Sequence, residues 1–243
     1  MSRHVFLAEQ KIQKQKSIEK SIFQGVQETP TNNGTGAYLR TLFKGFFLNP
    51  SMLLLLLAAC VRHTGGYCWA YNTRLYFGDN YPDFNDQLGW WLFADSLVGG
   101  SFGVFFGGWF SDRIVTRLGL HSRLWVLSAF TLISVPFAVL TLTLEPPTAL
   151  VMLLLYYFCA ETWFAILFTV IVEIVDQDIK AISIALFLFI MNNIGGNLPV
   201  IVTPIQAAIG QQNALFIVWP GMIGLSGVLF LVASLPLWKQ RNQ

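Results

Sequence analysis

Long apolar runs separated by short polar turns dominate this chain from residue 51 onward. Six runs stand out, at about residues 51–77, 90–111, 124–144, 148–172, 181–209 and 214–238. Each is near the roughly 20 residues that a helix needs to cross about 30 Å of hydrocarbon. The runs are apolar on all sides, and they lack the two-residue alternation of a membrane barrel strand, so the pattern predicts helices. The expected architecture is an all-α membrane protein. A polar, basic segment over 1–49 leads into a six-helix transmembrane domain over 50–239, and a short tail covers 240–243. Within the first segment, TPTNNGTG at 29–36 is a turn-rich linker, and residues 40–47 resemble a short amphipathic lead-in along the membrane surface.

Composition sharpens this picture. Hydrophobic residues make up 54% of the 243 and charged residues 12%, more apolar surface than a soluble fold of this size can hide. Disordered, fibrous and ordinary cytosolic enzyme classes are thereby excluded. A net charge of +2 gives no general pull toward nucleic acid, so the expected partners are membrane lipid and a small molecule. Cys60, Cys68 and Cys159 all lie in apolar stretches, with neither zinc nor disulfide spacing, and read as buried hydrophobes. No cofactor or metal is expected. No apolar core follows the charges of the first 20 residues, so a cleavable signal is not expected either.

Loop charge predicts orientation. Seven of the 15 Lys and Arg residues precede the first run. Arg113, Arg117 and Arg123 follow the second, Lys180 the fourth, and Lys239 and Arg241 the sixth. The other three loops hold none. The positive-inside rule makes the basic side cytosolic, with both termini there. The sequon at Asn33 would then face the cytosol and stay bare.

Two basic residues lie inside a run. Arg74 is near an outer end and can snorkel to the headgroups. Arg62 lies about eleven residues in, roughly 17 Å deep, where an arginine costs about 2.5 to 3.5 kcal/mol on insertion scales. It needs an anion or a wet cavity. It reads either as a substrate or coupling charge or as half of a structural ion pair. Asp95 in the second run and Glu161 in the fourth both fall within roughly 10 Å of its depth. A carboxylate that changes partner as a cavity opens to each side can load and release a proton, and Glu161, the more central, is the first candidate. His63 is either a hydrogen-bonded packing residue or a proton relay.

The fifth run carries Asn192, Asn193 and Asn197 beside Gly195, Gly196 and Pro199. Such amides and a proline suit a bend that lines a pathway rather than a lipid-facing helix. Thr64-Gly65-Gly66 in the first run shows the same weakness. Trp163 and the aromatic residues Tyr67, Trp69 and Tyr71 could stack on a ligand or simply pack. Gly99, Gly103 and Gly107 recur every four residues, a face for close helix approach. Gly99-Gly100-Ser101-Phe102-Gly103 also matches the G-x-S-x-G of hydrolases, with His63 as the one possible base inside a span. An intramembrane serine protease is therefore a remote alternative.

Gly107-Gly108-Trp109-Phe110-Ser111-Asp112-Arg113, followed by Arg117, Gly119 and Arg123, resembles the signature loop between the second and third helices in each half of major facilitator superfamily transporters. The loop is longer here between Arg113 and Gly119 than in that pattern. Arg62-His63-Thr64-Gly65-Gly66-Tyr67 and the Gly-Gly-Asn-Leu-Pro bend look most like spinster-type members. The resemblance implies the C-terminal six-helix half of a transporter, with the first, second, fourth and fifth helices facing a central cavity. It implies that Gly108 permits close helix contact, and that Asp112, Arg113, Arg117 and Arg123 form a gating loop latching one half against the other. It further implies a second six-helix half as partner, either a homodimer copy or a missing N-terminal half. On this reading the chain moves a small organic anion, zwitterion or amphiphilic lipid by alternating access. Arg62, His63, Asp95, Glu161, Trp163, Asn192, Asn193 and Asn197 would serve substrate and coupling. The competing reading is a membrane interaction protein that transports nothing.

Overall fold

The computed structural model describes residues 35–241. Most of the basic leading segment, the linker before residue 35, the Asn33 sequon and the last two residues lie outside the described residues. The described residues from Leu42 onward form one compact unit. The described residues are almost entirely helical.

Helix α1 covers Thr35–Phe47. Helix α2, Pro50–Asn80, starts sharply: Asn49 Oδ1 accepts from the backbone N–H of Ser51 at 3.0 Å and of Met52 at 3.3 Å, and Pro50 occupies a first-turn position that needs no donor. The expected weak point at Thr64-Gly65-Gly66 does not break it. Thr64 Oγ1 bonds the Cys60 carbonyl at 2.8 Å. Gly65 instead lets the Trp219 carbonyl and the Met222 and Ile223 side chains approach α2 closely. Trp69 then stacks on Trp219 with centroids 3.7 Å apart.

A 3₁₀ turn at Pro82–Phe84 leads to a second helical segment. It is built from α3 (Asn85–Ala94), a π-helical stretch at Asp95–Gly100, and α4 (Ser101–Leu118). Gly119, at φ 86°, ends it. Helix α5 is His121–Thr143. The fourth run is not one helix: α6 (Thr148–Ala160) and α7 (Thr162–Ile174) meet at Glu161, which sits in a turn. The fifth comprises α8 (Lys180–Asn197), a 3₁₀ stretch at Leu198–Ile201 and α9 (Val202–Ile209), so its geometry changes at the Asn-Leu-Pro sequence. Gly210 alone, at φ 86°, joins it to α10 (Gln211–Phe216). A π-helical stretch over Ile217–Gly221 around Pro220 then leads into α11 (Met222–Arg241). The four-residue loop expected at 210–213 is thus a one-residue turn.

Among the described residues, five helical segments are long and apolar enough to cross a membrane: Pro50–Asn80, His121–Thr143, Thr148–Ile174, Gln177–Ile209 and Gln211–Lys239. The chain is an integral, multi-pass membrane protein by this measure. The segment over 85–118 is not among the five; its glycines, tryptophans, Asp86 and Asp95 dilute its hydropathy.

Helix α11 lies between α2 and α5, α5 packs on α6, and α2 packs on α8. The α5–α11 contact is pinned by Ser128 Oγ to the Gly227 carbonyl at 2.7 Å and Trp125 Nε1 to Ser234 Oγ at 3.0 Å. The second segment packs on the fourth through its glycines. A Cβ at Gly99 would sit 2.9 Å from the Leu154 carbonyl oxygen, one at Gly103 would meet the Phe158 backbone, and one at Gly107 would meet the Thr162 side chain at 2.5 Å. Gly108 takes no part. A Cβ there meets nothing within 4 Å, so the close contact implied for it belongs to its neighbour Gly107. The three cysteines are free and buried.

Candidate functional site

Arg62 is carried by α2 into the middle of the bundle and is only 2% exposed. Its Nη2 donates to the Ala160 carbonyl at 3.1 Å and lies 3.9 Å from Glu161 Oε1. The guanidinium carbon sits 5.1 Å from the centroid of the Trp163 ring. The interruption of the fourth segment explains this. Where α6 stops and α7 begins, a backbone acceptor becomes available to a side chain from another helix. Residue 161 on the turn, and residue 163 within the next turn of helix, face the same cation. Arg62 Nε finds no acceptor among the described residues. The cation is therefore held by one carbonyl, a loose carboxylate and a ring face, with the buried Tyr156 side chain beside it.

A cavity of about 260 Å³ opens against this group. Its floor includes Gly66, where an added Cβ would lie 3.1 Å from Arg62 Nη1. Tyr67, Tyr156 and Tyr157 supply aromatic wall, and Glu161 faces the opening with its side chain one-third exposed. His63 Nε2 is 3.0 Å from Asn192 Oδ1, joining α2 to α8, and its ring contacts Tyr67 and Trp163. A Cβ at Gly195 would collide with His63 at 2.7 Å, so that glycine is needed where α8 crosses α2.

Arg62, His63, Glu161, Trp163 and Asn192 are thus brought together. Asn193 and Asn197 are exposed, and their amides cap carbonyls of their own helix, Phe189 and Asn193 respectively. Asp95 stands apart. It is fully buried at the start of the π-helical stretch, and neither carboxyl oxygen has a hydrogen-bond partner among the described residues. The partner of Arg62 is Glu161, not Asp95, because the turn at 161 swings that carboxylate toward α2 while Asp95 packs against α6. The π-helical stretch still passes close by: a Cβ at Gly100 would be 3.8 Å from Glu161 Cγ.

The signature-loop residues divide as well. Arg123, at the head of α5, reaches Asp112 Oδ1 at 2.6 Å and Ser111 Oγ at 3.2 Å from Nη1, and Glu173 Oε1 at 3.2 Å from Nη2. It ties the ends of three segments within this chain. Arg113 lies over Trp109 at 4.2 Å, and both line an open surface depression with Arg117. Ser101 sits on a continuous helical segment, and the His63 ring is engaged by Asn192. The strand-to-helix turn and the Ser–His pair that a serine protease needs are not formed.

Sequence reasoning did not reach the Ala160 carbonyl or Glu173. No proline or glycine marks the break at Glu161, and Glu173 resembles any acid near a helix end.

No family model matches the sequence, and no curated protein does. One solved structure matches in fold: a bacterial homolog of the human lysosomal transporter Spinster, in an inward-facing and unoccupied conformation. The TM-score is 0.60 at 16% identity, and the match covers 86% of this chain and 50% of that one. The chain shares the fold of half of that structure. The chain spans about half the length of that structure, and at this identity the likeness speaks to fold alone.

Proposed function

We propose that this chain is one six-helix half, the C-terminal one, of a secondary transporter that works by alternating access. The observation that carries the reading is Arg62. A cation is held at the centre of the bundle by a helix break, a loose carboxylate and an indole, and a cavity opens against it. A structural ion pair would be tighter, as Arg123 is with Asp112 and Glu173. The fold shared with the bacterial Spinster homolog supports the reading.

In this proposal the segment over 85–118 also spans the membrane, giving six crossings, and loop charge puts both termini in the cytosol. Arg62 receives an anionic group of the substrate, a small organic anion, a zwitterion or an amphiphilic lipid, and releases Glu161 as it does so. Asp95, with no cationic partner, carries the coupling proton. Trp163, Tyr67 and the tyrosines of α6 provide aromatic wall. Asn192 sets the His63 ring. A second six-helix half, a second copy or an N-terminal half, closes the cavity about a midplane site.

The test is flux into proteoliposomes from a panel of labelled organic anions, zwitterions and amphiphiles, combined with crosslinking. Flux that is lost in Arg62→Ala, with insertion intact, supports transport. Unchanged flux in that variant, or a strictly monomeric chain that still transports, overturns the reading. Altered assembly with no flux in any sample identifies an interaction protein instead.

A further inference from the structure

A second cavity lies at the hairpin joining α2 to α3, about 540 Å³ in volume. Arg74 of α2 lines it from one side. Asn85, Asp86, Gly89, Trp90 and Phe93 of α3 line it from the other. Arg74 and Asp86 face the same space, yet neither forms an ion pair with any described residue. Both are exposed, and two opposite charges on one cavity that do not pair with each other are a complementary pair of contacts for a molecule bearing both signs. Trp90 is 76% exposed and makes an edge contact with Phe93, so an aromatic face stands beside the acid. A carboxylate next to an indole is a receptor for an organic ammonium group, and a guanidinium is one for a phosphate or carboxylate.

We propose that this hairpin cavity binds a zwitterion, its anionic group on Arg74 and its ammonium group between Asp86 and Trp90. The volume lies within the range of small-molecule sites. Arg62, Gly66, Ala70 and Arg74 form one four-residue row along α2, so the two arginines are roughly 18 Å apart along the helix with only small residues between them. Gly66 and Ala70 both line the Arg62 cavity. The hairpin site is thus a second station, three turns from the first. That role rests on the transport reading; binding at the hairpin does not.

The test uses the full chain in phosphatidylglycerol nanodiscs, which hold no zwitterionic lipid. Phosphocholine and, below its micelle concentration, dodecylphosphocholine are titrated by equilibrium binding. Saturable binding of both probes marks a site for free solutes, and binding of the dodecyl probe alone marks a lipid headgroup site; either supports the proposal. Arg74→Gln and Asp86→Asn are each expected to weaken the bound probe about tenfold, the worth of one charge-assisted contact. Exchanging the two residues, Arg74→Asp with Asp86→Arg, should restore much of the loss. Gly89→Leu fills the cavity from a position whose Cβ meets nothing within 4 Å, and should abolish binding without disturbing the fold. Binding of neither probe, or wild-type affinity in all three single variants, overturns the proposal. Flux with unaltered binding in these variants sinks this site and spares the transporter; binding without flux does the reverse.

Discussion

The two buried arginines of the main unit solve the same problem in opposite ways. Arg123 is gripped at 2.6 and 3.2 Å by carboxylates from two other segments, with a serine besides. Arg62 has one carbonyl, a carboxylate at 3.9 Å and a ring. Arg123 sits where helix ends converge, and its acids Asp112 and Glu173 are 69% and 38% exposed, so water helps to solvate the cluster. Arg62 is buried at the centre, against a cavity. A tight clamp at the rim fixes geometry. A loose cluster at the centre leaves a charge that a ligand can share without first breaking a strong pair.

The contrast can be broken most sharply at its centre. Arg62→Ala should cut flux about 100-fold, about 2.7 kcal/mol and near the upper end of the worth of a hydrogen bond to a charged group; proteoliposome uptake beside a membrane-insertion control reads this. Glu161→Gln keeps the volume and removes the charge, and is expected to lower flux about tenfold while the Ala160 carbonyl still holds the guanidinium, a loss on the scale of one charged hydrogen bond. Arg123→Ala should act on stability instead. A drop of about 1 to 2 kcal/mol in the unfolding free energy is expected, because its partly exposed acids can rehydrate. Raising salt from about 0.15 to 1 M, which shortens the screening length from about 8 to 3 Å, should reproduce part of that drop and leave the flux of the Arg62 site unchanged. Trp163→Phe should weaken apparent affinity by about 2- to 5-fold, the difference between indole and phenyl as a cation's platform. Gly108→Ala should change neither property, whereas Gly103→Ala meets the Phe158 backbone and should lower the melting temperature.

The loose cluster is half legible in the sequence. A lone arginine deep in an apolar run must have company, and the fourth run offered a central acid and a tryptophan two residues apart. What the pattern could not supply was the carbonyl. Ala160 is 98 residues from Arg62, and its availability comes from a turn at Glu161 that no glycine or proline announces. The bend at Asn197-Leu198-Pro199 was readable because proline withholds a donor. The supposed weakness at Thr64-Gly65-Gly66 was misread. There the glycine answers a need of the neighbouring helix, which only packing reveals. Asp95 was legible as a buried acid, but not as one with no mate, because depth along a span says nothing of which way a residue faces.

The glycine seam between the second and fourth segments carries one more consequence. Gly99 lies on the Leu154 carbonyl oxygen and the Tyr157 Cβ, Gly103 on the Phe158 backbone, and Gly107 on Cβ and Cγ2 of Thr162. In the proposed alternating access, two rods fastened at three such rivets would pivot as a single blade. Asp95 and Glu161 would ride on that blade together, at a fixed separation, while their view of Arg62 changes. A spin-label ruler laid across the seam should return one length in every condition, while one laid from the blade to the first helix should not.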